Sequence, residues 1–150
     1  MSGGAALAIS LTLTAGLAGS IQAAVMGELG ERVGIVPALA FSTLVAVGGG
    51  LAVLAVVERG TGGLRASLQE PAWLWSGGLL SLLIVLAITV STPRIGVAAT
   101  VGLVIAGNLV MAAAIDRYGL FGQDEIALGW PRLLGLALLA GGAMLSLGGR

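Results

Sequence analysis

Apolar positions run almost unbroken along this chain, in five stretches separated by short polar segments. Neither the two-residue alternation of a half-buried strand nor the one-sided stripe of a surface helix organises them. A helix needs about 20 apolar residues to cross roughly 30 Å of hydrocarbon. The runs predict membrane-spanning helices at about residues 5–31, 36–57, 72–91, 95–115 and 131–147. Pro37, Pro71 and Pro131 each stand at or just before a predicted first turn, where a missing N–H costs nothing. Two longer polar loops fall at Glu58–Glu70 and Asp116–Glu125, and Thr92-Pro-Arg-Ile-Gly96 reads as a tight break. Gly48-Gly-Gly50 is a candidate weak point in the second helix. The expected fold is all-α and integral to the membrane, one five-helix domain over 1–150.

Composition agrees with that pattern. The chain is 57% hydrophobic and only 9% charged, against about 25% charged residues in a soluble domain. Too few charges are present to cover a water-facing surface. Met1-Ser-Gly-Gly carries no positive n-region, so the first run is expected to be a retained span rather than a cleaved signal. Net charge is zero and no basic run points to nucleic acid.

The chain has no Lys, His or Cys. Thiolate chemistry, Cys or His metal sites, Schiff bases and a Ser-His-Asp triad therefore cannot be built from it. Asp116, Asp124 and Glu125 could bind a divalent ion through oxygen, but they share one short loop with no second cluster. No enzyme, metal or cofactor is expected.

Arginine is the only basic side chain, and its placement speaks to topology. With five spans, Arg59, Arg65, Arg117 and Arg132 lie on the side of the N-terminus, and Arg32, Arg94 and Arg150 on the other. Orientation follows the excess of positive loops, and here the excess is one. Such a chain either inserts both ways or is oriented by a single arginine or a partner. Five spans inserted both ways and paired antiparallel would form an inverted repeat, with its site near the midplane.

Few polar groups fall inside the spans. Gln22 sits near the middle of the long first helix, Asn108 at mid-depth in the fourth and Ser81 in the third. A buried amide without a partner is costly, so Gln22 and Asn108 either line a polar cavity or hydrogen-bond to each other or to backbone. Ser20 and Trp75 complete the candidate substrate-binding set, with membrane-interface anchoring as the other reading of Trp75. Glu28 and Glu31 are candidates for ion coupling, although Glu28 and Arg32 are spaced as a solvated i, i+4 pair. Small residues at four-residue spacing, Thr12, Gly16, Ser20 and Ala24, with Gly77, Gly78, Gly102, Gly107, Gly141 and Gly142, predict close helix packing. Gly119 is placed to cap a helix.

Six blocks in order carry a resemblance: Gly19-Ser-Ile-Gln-Ala-Ala-Val25, Leu29-Gly-Glu-Arg-Val-Gly34, Pro71-Ala-Trp-Leu-Trp-Ser-Gly-Gly78, Thr92-Pro-Arg-Ile-Gly-Val-Ala98, Asp116-Arg-Tyr-Gly-Leu-Phe-Gly122 and Pro131-Arg-Leu-Leu-Gly135. Together they resemble the small YdcZ-type members of the drug/metabolite transporter superfamily. The resemblance implies a multi-pass protein of the bacterial inner membrane, half of a ten-helix EamA-like inverted-repeat fold. It implies export of a small molecule by a pair of chains, either an antiparallel homodimer or this chain with a sister. Met26 stands where the family motif has Asn, and Asn108 where it has Gln, while Gln22 matches. A scaffold or partner subunit that does not itself transport is the alternative.

Overall fold

The computed structural model describes residues 3–58, 60, 62–127 and 129–148, and among them every regular element is helical. The long helices are α1 (Gly3–Val33) and α2 (Ile35–Val57), then, after the short α3 (Gly62–Ser67), α4 (Ser76–Ile95), α5 (Val97–Tyr118) and α6 (Trp130–Gly148). One 3-10 turn, Ala72–Trp75, leads into α4, and another, Leu120–Gly122, follows α5. Four spans, Gly4–Val33, Ile35–Val57, Ala72–Ile95 and Val97–Tyr118, are long and apolar enough to cross a membrane. In lipid each backbone group must be satisfied within its own helix, so an apolar chain of this kind folds as long unbroken helices.

Several boundaries differ from the sequence expectation for physical reasons. The break expected over Thr92–Gly96 contracts to Gly96 alone, and α4 runs through Pro93 to Ile95. Gly96 has φ 83° and ψ 161°, a backbone region only glycine occupies freely. Gly34 ends α1 in the same way, with φ 93° and ψ 154°. Gly48-Gly-Gly50 does not interrupt α2. The first polar loop contains α3, whose six residues are too few to leave a periodic signal. After α5, Gly119 is left-handed (φ 57°, ψ 34°) and its N–H reaches the Ile115 carbonyl. The chain then folds back, and the Ile126 N–H donates to the Asp116 carbonyl at 2.7 Å.

The described chain forms two compact units, Val25–Val90 and the pair of segments Met1–Ala24 with Ser91–Arg150. In the first, α1 and α4 meet where Gly30 lies on Thr89: a Cβ at Gly30 would stand 2.7 Å from the Thr89 Cγ2 methyl. In the second, α5 packs along α6. Buried apolar side chains are few and mostly small: Ala23, Met26, Ala38, Ile88, Ala99 and Ala113. Large ones point outward, with Leu17 at 71% and Val36 at 74% exposure. In water that surface would aggregate, whereas in a bilayer it is the solvated surface.

The close approach of helices falls at Gly30, which the four-residue spacing did not single out, and not at most of the glycines that it did. A Cβ at Gly16, Gly48, Gly49, Gly50, Gly77, Gly78, Gly107, Gly141 or Gly142 would meet nothing within 4 Å. These glycines are open faces of the single chain rather than internal contacts.

Candidate functional site

Both mid-depth amides belong to the same unit. Gln22 on α1 and Asn108 on α5 are exposed, and neither side chain has a hydrogen-bond partner among the described residues. The interhelical bond that the sequence allows between them is not formed. An amide facing hydrocarbon without a partner costs on the order of 2–7 kcal/mol. These two faces of the helices are therefore poor lipid-facing surfaces. They suit a polar cavity or the surface of a second chain.

The remaining candidates other than Glu31 already have local partners. Ser20 is half-buried, and its hydroxyl donates to the Gly16 carbonyl at 3.3 Å. Ser81 donates to Gly78 at 2.7 Å, and the Trp75 indole N–H donates to the Ser67 carbonyl at 3.3 Å. Trp75 thus ties the first 3-10 turn to α3. Glu28 accepts from Arg32 Nε at 2.7 Å, with both side chains well exposed. Glu31 is exposed as well. Next to Asn108 in the chain, a groove of about 240 Å³ between α5 and α6 is lined, among the described residues, by Leu109, Ala112, Gly135, Leu136 and Leu139. No group of three or more metal-ligating acids occurs among the described residues.

Sequence reasoning passed over Thr92 and Thr100, which flank the Gly96 turn. They are 7% and 2% exposed, and neither hydroxyl has a hydrogen-bond partner among the described residues. Threonine is common in apolar helices, where its hydroxyl usually returns to the carbonyl four residues back, as Thr12, Thr43 and Thr89 do here. Nothing local in the sequence separates the two kinds of threonine. Met26 is 3% exposed, so this position contributes an apolar contact.

Long helices with apolar outer faces, joined at Gly34 and Gly96 by turns at positive φ, define a helical membrane protein. A family model described as "Putative inner membrane exporter, YdcZ" matches residues 7–145, and the chain belongs to that family. No curated protein and no solved structure gives a match.

Proposed function

We propose that this chain is one half of an exporter of a small molecule in the inner membrane of a bacterium. In this reading α6 is the fifth span, the five helices form a single domain, and two chains pair antiparallel to complete a ten-helix inverted repeat. Gln22 and Asn108 line a polar site near the midplane, and the two halves rock about it to expose it alternately to each side. Membership of the exporter family supports the transport class. The single observation that carries the site is the pair of exposed, unpartnered amides in otherwise apolar helices. Covering them with a second copy or a wet cavity removes the cost of facing lipid. The open glycine faces at Gly16, Gly77, Gly78 and Gly107 favour a partner chain too, since close approach of helices is what small residues allow in lipid.

The test is transport in vesicles, with the wild type screened against a metabolite collection and the hits repeated with Gln22→Leu and Asn108→Leu. Loss of export by both variants, with folded protein retained in the membrane, is the expected result. Unchanged export by the double variant removes the site. No export of any compound by the wild type favours the scaffold or partner-subunit alternative.

A further inference from the structure

The turn at Gly96 lies in the unit that holds Ser91–Arg150. Thr92 is in the last turn of α4 and Thr100 in the first turn of α5, each about 6 Å along its helix from the glycine. Both side chains are buried, as is Ala99. Their hydroxyl oxygens are closed off from solvent and have no partner among the described residues, so water does not meet them in this arrangement. A threonine in an apolar helix has an easy remedy, the carbonyl four residues back, and Thr12, Thr14, Thr43 and Thr89 use it. Thr92 and Thr100 do not. The packed turn therefore holds two hydroxyls away from any partner. Each adds a desolvation cost to this arrangement that is relieved wherever the hydroxyl is wet or bonded.

The backbone around them is loosely held. Pro93 has no N–H, so α4 lacks a bond in its last turn. Gly96, at φ 83°, has no Cβ to restrict its rotation. No side-chain cap secures the start of α5. Gly96 itself is held by its N–H on the Thr92 carbonyl at 2.9 Å and by the Thr100 N–H on its own carbonyl at 3.1 Å. In a membrane, a turn between two membrane-length helices stands at the bilayer surface, which puts water about one helical turn from both hydroxyls.

We propose that the Gly96 turn is a conformational latch. It opens locally to admit water to Thr92 and Thr100, and their unmet hydroxyls set how often it does so by raising the free energy of the closed form. The Gly34 turn has the same kind of glycine and no such pair. Gly30 and the fully buried Ala38 stand in the places of Thr92 and Thr100, so that turn stays shut. The latch goes beyond the export reading. It rests on the turn alone and its test involves no transport, so either reading can fail without the other.

The measurement is amide hydrogen exchange, by NMR of the full-length protein with isotope-labelled glycine in phosphatidylcholine nanodiscs. The Gly96 and Gly34 amides make the same bond, 2.9 and 3.0 Å long, and follow Ile95 and Val33, so their intrinsic exchange rates are close. Gly34 is exposed and Gly96 half-buried, so exposure alone favours faster exchange at Gly34. The latch reverses that order, with Gly96 faster by about tenfold through local opening. Thr92→Val combined with Thr100→Val keeps the side-chain shapes and removes both hydroxyls. It should slow Gly96 by about tenfold and leave Gly34 unchanged. Thr43→Val, which removes a bonded hydroxyl from α2, should not slow Gly96. Exchange at Gly96 no faster than at Gly34 in the wild type would overturn the proposal. So would a double variant in which Gly96 exchanges as fast as before, or an equal slowing by Thr43→Val.

Discussion

Two turns between consecutive helices in this chain use nearly the same four residues. Arg32-Val-Gly-Ile35 joins α1 to α2, and Arg94-Ile-Gly-Val97 joins α4 to α5. The backbones agree closely. Gly34 N–H donates to the Gly30 carbonyl at 3.0 Å and Ala38 N–H to Gly34 at 3.1 Å. Gly96 N–H donates to Thr92 at 2.9 Å and Thr100 N–H to Gly96 at 3.1 Å. What differs is the residue four positions either side of the glycine. The first turn has Gly30 and a fully buried Ala38, and the second has two buried threonines whose hydroxyls have no partner among the described residues. One turn geometry therefore sits among small, nonpolar residues in one case and beside unmet polar capacity in the other. The turn is a property of glycine at positive φ, whereas what surrounds it is free to diverge.

The largest effect should come from breaking what the two turns share. Gly34→Ala or Gly96→Ala forces an L-residue into a region only glycine tolerates, at a cost of about 1–3 kcal/mol each. Reversible unfolding in mixed micelles with increasing dodecyl sulfate measures it, and equal losses at both sites would show that the turns are equivalent. Next comes a change specific to the first turn. Gly30→Ala sets a Cβ against the Thr89 methyl, with an expected loss of about 1–3 kcal/mol. Adding Thr89→Ser, which deletes that methyl, should recover much of the loss. A double-mutant cycle with no coupling would mean the two residues do not meet.

Smaller effects separate the two turns by polarity. Thr92→Val and Thr100→Val remove unpaired hydroxyls without changing shape and should leave stability equal or raise it by up to about 1 kcal/mol. Thr89→Val deletes a hydroxyl bonded to Val85 and should lower it slightly. Stability lost on Thr100→Val would show that its hydroxyl is satisfied in the membrane. The smallest change is Glu28→Gln. It breaks an ion pair whose side chains are 58% and 72% exposed, and it should cost under about 0.5 kcal/mol, vanishing in high salt.

The same contrast explains what the sequence made legible. Helices along the apolar runs, the Gly119 cap and the Glu28–Arg32 pair depend on residues within a turn or two of each other. The break near Gly96 was visible, but Pro93 drew it too wide, because a proline can be carried in a helix's last turn when a glycine ends the helix three residues on. The helix packing read from Gly16, Gly77 and Gly107 was not found within the single chain, because composition marks a surface as close-packing without naming its partner. Burial of Thr92 and Thr100 is likewise a tertiary fact.

The proposed export mechanism requires two chains in opposite orientations, and the absence of cysteine makes that directly measurable. Gln69 is exposed in the first polar loop, so Gln69→Cys offers a single thiol to an impermeant reagent, first in intact cells and then after lysis. Labelling of about half the protein from outside is the predicted result, as an antiparallel homodimer demands. Labelling of all or none of it would contradict that pairing and leave an inverted repeat possible only with a different chain.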